Sequence, residues 1–173
     1  MALYQIWNAP APTTAKIVAV TTGTAIKTML QVKPSATLGA RVVEWGWKCD
    51  APSASALCSV ELIVTDVAAT VTAHVAAGIM KLDAAAMGGG DPSTNLIQVG
   101  TTSTGYTSSG EGTITASRVL DSILETLPTT NGYGFVKQFP LGYQPYIEIN
   151  GFLRIRNHLG SAVNALCYVT LEV

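Results

Sequence analysis

From residue 16 onward the chain is never apolar for long. Short runs rich in Val, Ile, Thr and aromatic residues are cut by turn-forming clusters: KPSAT, DAPSAS, GGGDPS, TTNGYG and NHLGSAV. Each cluster supplies Gly, Pro, Asn or Asp where the backbone must reverse. The punctuation predicts strands near 16–20, 25–32, 38–49, 57–65, 96–99, 113–120, 134–139, 151–157 and 164–172. Eight or nine short strands at this spacing predict an all-β fold, an antiparallel β-sandwich of jelly-roll-like form. Ahead of them, Pro10 and Pro12 break residues 1–15 into a segment unfit for a central strand or a helix interior. The domain reading is therefore an extended N-terminal arm, 1–15, followed by one β-sandwich domain, 16–173. The arm carries Tyr4, Ile6 and Trp7, which dock either on a neighbour or on their own domain.

The segment 67–87 is ambiguous. Its alanines favour helix, whereas Val71, Ala73 and Val75 alternating with Thr70, Thr72 and His74 favour a strand or an irregular crossover. The Gly-Ser-Thr stretch 100–113, GTTSTGYTSSGEGT, reads as a solvent-exposed loop.

Two of the three tryptophans fall in RVVEWGWKCD, residues 41–50. In extended backbone, Val43, Trp45, Trp47 and Cys49 share one face, while Glu44, Gly46 and Lys48 share the other. An aliphatic residue and a thiol on the aromatic face favour core over a sugar-stacking platform. The hydrophobic gain from burying indoles points the same way. At the C-terminal end, GFLRIRN and NALCYVTLEV form a predicted hairpin joined by HLGSAV. Phe152, Arg154 and Arg156 oppose Leu153, Ile155 and Asn157; Ala165, Cys167, Val169 and Leu171 oppose Leu166, Tyr168, Thr170 and Glu172. Strands this apolar belong in mid-sheet, since a bare edge invites aggregation. Arg154 and Arg156, two of only four arginines, require acidic or carbonyl partners, from Glu148 for instance or from a neighbouring chain.

Charged residues make up only 12% of the 173, and the net charge is -1. About 25% is ordinary. The surface must then be neutral and polar, or partly covered in the working state. Nothing here attracts nucleic acid or an anionic membrane at long range. No apolar run approaches the roughly 20 residues that cross a bilayer, and MALYQIWNAPAPTTAK does not read as a secretory signal.

Catalytic chemistry has little to work with. His74 and His158 are the only histidines, and neither has a second ligand at metal-binding spacing. MGGGDPS, residues 87–93, lacks the lysine and the strand-to-helix context of a phosphate loop. Glu44 and Glu61 could pair across adjacent strands in the manner of a glycosidase, but no cleft is implied. Cys49, Cys58 and Cys167 read as buried free thiols, with a Cys49–Cys58 bridge under oxidising conditions as the alternative. No catalytic residue, metal or cofactor is expected.

The runs TTGTAIKTMLQVKPSATLGARVVEWGW, ATVTAHVAAGI, GYTSSGEGT, QFPLGYQP and GFLRIRN, with NALCYVTLEV at the end, resemble a family of small structural proteins of tailed bacteriophages of actinobacteria. The similarity runs over most of the chain from residue 21. The chain departs from the family where Cys49 and Cys58 flank a loop and at MGGGDP. The resemblance implies a non-enzymatic virion protein. The favoured role is a capsid decoration (cement) protein on the outside of the head between capsomers, with the major capsid protein and its own copies in a homotrimer as partners. It would assemble in the host cytoplasm. A minor tail or fibre protein, with glycan as a candidate ligand, is the alternative, and a free carbohydrate-binding module or sandwich hydrolase is the third reading. The expected partner-contacting residues are Tyr4, Ile6, Trp7, Arg154 and Arg156.

Overall fold

The computed structural model describes residues 2–12, 14–82 and 96–173; the expectation for MGGGDPS lies outside them. Among the described residues fourteen strands run in chain order: β1 Leu3–Trp7, β2 Val20–Thr21, β3 Lys27–Pro34, β4 Ala40–Cys49, β5 Ala56–Thr65, β6 Thr70–Ala73, β7 Ile79–Lys81, β8 Ile97–Gln98, β9 Gly105–Gly110, β10 Ser117–Leu127, β11 Tyr133–Gln138, β12 Tyr146–Ile147, β13 Phe152–Leu159 and β14 Asn164–Glu172. They build two antiparallel sheets of seven strands, a β-sandwich. Sheet A has the order β11-β4-β14-β1-β7, with β12 on β4 and β2 on β14. Sheet B has the order β10-β5-β13-β3-β9-β6, with β8 on β3.

The core lies between the sheets, where the inward rows of β4 and β14 meet those of β3, β5 and β13. Trp45, Trp47, Cys167, Val169 and Leu171 from one sheet join Leu30, Val60, Leu62, Leu153 and Ile155 from the other. The tryptophans are core, at 0% and 1% exposure. The strand carrying them is not regular, however. Thr170 pairs with Glu44 and Leu171 with Val42, so Val43 is left over as a bulge. A bulge exchanges the faces beyond it, and Val42, not Val43, enters the core. The Trp45 indole N–H donates to Asp121 Oδ2 of β10 at 3.0 Å. Lys137 of β11 pairs with the other oxygen at 2.7 Å. One carboxylate thus ties the edges of the two sheets together.

Three expectations are corrected. Residues 3–7 are not a tether: they form β1, hydrogen-bonded between β14 and β7 inside sheet A. The prolines begin only at Pro10, after the strand has ended, and Asn8 extends the pairing. Its Nδ2 donates to Ala165 O, and its Oδ1 accepts from Cys167 N. GFLRIRN and NALCYVTLEV are each mid-sheet, but they do not pair with each other. β13 lies in sheet B between β5 and β3, and β14 in sheet A between β4 and β1, because their apolar rows face each other across the core. Finally, 100–113 is not wholly loop: Gly105–Gly110 form β9 between β3 and β6. There the backbone supplies the pairing that the side chains did not advertise. The ambiguous 67–87 segment gives β6, a 3-10 turn at Ala76–Gly78 and β7 before the described residues stop at 82.

Candidate functional site

The residues expected at a partner interface divide by depth. Tyr4 and Ile6 are buried, at 1% and 0% exposure, and belong to the core. Trp7, at the end of β1, keeps part of its surface and stacks on Tyr168 with ring centroids 4.7 Å apart. Arg154 is wholly buried, whereas Arg156 is partly exposed.

Both arginines lie on the outer face of sheet B and are satisfied within the chain, though not by Glu148. Arg156 pairs with Glu61 directly across from it on β5, Nε to Oε1 at 2.6 Å. Arg154 is roofed by the chain that follows β5 and β9. Its Nη1 donates to Glu111 O at 3.0 Å and to Glu111 Oε2 at 3.3 Å, and its Nη2 donates to Val67 O. Glu111 also accepts from Thr28 N and Thr28 Oγ1, both at 2.6 Å, and from Ser108 Oγ. Burial pulls the Arg154 guanidinium below its ordinary value, and the adjacent Glu111 carboxylate opposes that pull. Beside this network, Gln31 holds the roof down: its Oε1 accepts from Ala69 N at 2.7 Å and its Nε2 donates to Ser103 O at 2.6 Å. Around Arg154 and Gln31 the outer face of sheet B is therefore an internal surface, whereas over β5 and β10 it is open, with Leu57, Val119 and Leu124 exposed.

No paired carboxylates arise from Glu44 and Glu61. Glu44 is on sheet A and accepts from Tyr168 Oη, while Glu61 is on sheet B with Arg156. His74 is buried at 3% exposure. Its Nε2 lies 2.7 Å from the Trp7 carbonyl; since a carbonyl only accepts, Nε2 carries the proton. Nδ1 is bare and faces Gly78, where a Cβ would sit 2.4 Å from it. Burial lowers the His74 pKa, so a neutral imidazole holds the end of β1. The thiols Cys49, Cys58 and Cys167 are free and buried. Burial is the main cause that pushes Cys58 up to about 12, which leaves it protonated and unreactive near neutral pH. Among the described residues no group of three His, Cys, Asp or Glu side chains could hold a metal ion.

What the surface does offer is a displayed apolar turn. Between β11 and β12 the sequence FPLGYQP leaves the sheet and returns. Phe139 N donates to Val43 O at 2.9 Å on the way out, and Val42 N donates to Pro145 O at 2.9 Å on the way back. Both ends are thus pinned at the β4 bulge. At the tip, Tyr143 N closes on Pro140 O at 2.9 Å, with Gly142 at φ +84, a backbone angle that favours glycine at the third position of such a turn. Gly142 N is held by the Gln144 side chain. On this twice-anchored tip Leu141 is 90% exposed and Tyr143 82%. Folding gains little from either side chain. The proline and glycine signal marked a turn, but no signal in the sequence distinguished an apolar tip in solvent from one folded back on the core.

No protein-family model, curated protein or solved structure matches the chain.

Proposed function

We propose that this chain is a non-enzymatic virion structural protein, a decoration subunit that seats on the outside of a phage head between capsomers and stabilises it through contact. The observation that carries the reading is the pinned turn with Leu141 and Tyr143 in solvent, a rigid element whose apolar area awaits a cover. The scarcity of charge and the resemblance to actinobacteriophage structural proteins support it. The resemblance also names the partners, the major capsid protein and sister copies in a homotrimer. Magnitudes favour many copies. Burying the two side chains is worth about 1.5–3 kcal/mol each, short of the roughly 4–15 kcal/mol that association costs. One turn alone does not hold a subunit. A lattice that engages the turn together with a neighbouring subunit raises the effective concentration enough to do so.

The test is cosedimentation of the purified chain with heads of its own phage stripped of this protein. The wild-type chain should saturate at a fixed ratio to the major capsid protein, and a Leu141→Ser/Tyr143→Ser double variant should bind at least tenfold more weakly. Equal binding by the double variant, or sedimentation with tails and not heads, overturns the assignment.

A further inference from the structure

Two places in the chain carry the dipeptide Asn-Gly: Asn131–Gly132 and Asn150–Gly151. The pair has a chemistry of its own. Glycine has no Cβ to shield its amide, and its backbone freedom lets that amide swing onto the preceding side chain. The amide nitrogen then reaches the asparagine carboxamide as a nucleophile. In sequence the two pairs are equivalent, and the fold separates them.

Asn150–Gly151 closes the turn between β12 and β13. Gly151 N donates to Glu148 O at 2.9 Å, so the nitrogen that would attack is already committed. Gly151 is also buried, and a Cβ built on it would stand 2.8 Å from Val64 Cγ1. Its peptide plane has little room to turn. Asn131–Gly132 lies between β10 and β11, where the chain crosses from the edge of one sheet to the edge of the other. Residues 128–132 are all exposed. Among the described residues nothing accepts from Gly132 N, and the Asn131 carboxamide has no partner. Pairing with β4 begins one residue on, at Tyr133 opposite Cys49. The glycine itself is required, because a Cβ there would stand 2.4 Å from Cys49 O. Packing thus keeps a glycine after Asn131 and leaves its amide unheld.

We infer that Asn131 is a site of spontaneous deamidation, and that the turn protects Asn150 from the same reaction. Gly132 N gives its proton to hydroxide and forms a bond to Asn131 Cγ. The adduct then breaks its Cγ–Nδ2 bond, and the nitrogen leaves as ammonia with a proton from water, which restores the hydroxide. A five-membered imide remains. Water opens it at either carbonyl. Addition at Cγ breaks the new Cγ–N bond and leaves aspartate. Addition at the main-chain carbon of Asn131 breaks the original peptide bond and leaves isoaspartate, with the chain routed through the side chain. Nothing is oxidised or reduced. Either product adds a carboxylate to a chain whose formal net charge is -1, and isoaspartate also inserts a methylene into the main chain just ahead of β11. The inference does not depend on what the FPLGYQP turn meets.

The purified full chain, held at 37 °C and pH 8 for several weeks and then digested with trypsin, provides the test. Cleavage after Arg118, Lys137 and Arg154 places the two pairs on separate peptides, 119–137 and 138–154. Mass spectrometry reads the change from amide to acid, and labelling with an isoaspartyl methyltransferase reads the rerouted backbone. Peptide 119–137 should gain both signals at least tenfold faster than 138–154. Asn131→Gln should remove the label from it, since the longer side chain does not close a five-membered ring. In guanidinium chloride, where the Gly151 hydrogen bond is lost, the two rates should converge. Equal rates in the folded chain, a faster Asn150, undiminished label in Asn131→Gln, or a tenfold difference that survives denaturation each overturns the inference.

Discussion

Where β3 and β13 carry Gln31 and Arg154, the outer face of sheet B is roofed by the chain itself, whereas the described residues leave the outer face of sheet A open over β11, β4 and β14. Each face carries polar and charged groups, but they are solved differently. On sheet B, Arg154 is removed from water altogether and is compensated by Glu111 and two backbone carbonyls. Gln31 fastens the roof by its amide. On sheet A, Glu44, Gln5 and Lys48 stay in contact with solvent, and glycines keep the surface low. The difference teaches that charge on a sheet face does not by itself mark an interaction surface. Arg154 and Arg156 are the most conspicuous charges in their strand, and they serve the fold. The exposed large apolar side chains of sheet B lie instead on β5 and β10, where Leu57, Val119 and Leu124 face solvent.

The sharpest way to break this comparison is Glu111→Ala. It leaves Arg154 buried without its counter-charge, and it takes the carboxylate acceptor from the Thr28 and Ser108 hydroxyls as well, while Thr28 N keeps Ser108 Oγ at 3.2 Å. Removing one partner of a buried pair costs about 3–5 kcal/mol. Urea denaturation should show a loss of that size. A Glu111→Leu/Arg154→Met double variant should recover part of it, since apolar replacement of both members of a buried pair is often neutral. If Glu111→Ala costs no more than Gln5→Ala on the open face, where about 0.5 kcal/mol bounds the expectation, the two faces are not different in kind.

Asp121→Ala tests the seam between the sheets. It orphans the Trp45 indole N–H inside the core and removes the partner of Lys137. A buried donor left without an acceptor costs about 1–3 kcal/mol. The denaturation midpoint should fall accordingly, with the red-edge fluorescence of the core tryptophans altered in the native baseline.

His74 gives a pH dependence with a definite sign. Its folded pKa lies below the ordinary 6.5 because burial disfavours the imidazolium. Between the folded and unfolded values the unfolded chain binds more protons. His74 therefore makes no pH-dependent difference above 6.5, and stability is lost as pH falls from there through the folded value. Denaturation at pH 7.5 and pH 5 should show the decline, and His74→Gln should flatten it. A decline unchanged by that substitution would assign it to other groups.

Much of this architecture is legible in the residues, and the failures have physical causes. Alternation identified the inward row Ala165, Cys167, Val169 and Leu171, all at 0% exposure. It also placed Trp45 and Trp47 in the core, because a strand buried on one face must write its burial with period two. The same rule fails at Val43, since a bulge shifts the period by one without changing the composition. It failed for β1 because LYQIW is short and its partner β14 lies at the opposite end of the chain, so the pairing that makes it central is wholly non-local. β9 was hidden because GYTSSG contributes backbone hydrogen bonds and small hydroxyls, and its role appears only once Glu111 and Arg154 are brought over it. The stacking of Trp7 on Tyr168 escaped for both reasons together. Trp7 was assigned to an arm, and Tyr168 was known to face away from the core without any sign of what stood beside it.

The smallest effect on folding is expected at the two most exposed large apolar side chains among the described residues. Leu141 and Tyr143 are 90% and 82% exposed, and the turn beneath them is held by backbone bonds from Phe139, Val42 and Tyr143 and by the Gln144 side chain. Replacing both by Ser removes little buried area, breaks none of those bonds and leaves Gly142 at its positive φ. Stability should therefore stay within about 0.5 kcal/mol of the wild type, with the denaturant slope unchanged. Solubility should rise, because a contiguous apolar tip has been removed. The contrast with Glu111→Ala is then complete: a largely buried network carries kilocalories of folding energy, while two large side chains in plain view carry almost none. A loss of more than about 1 kcal/mol in the Ser variant would mean that the tip packs on its own chain in solution, which would remove it as the element that meets a partner.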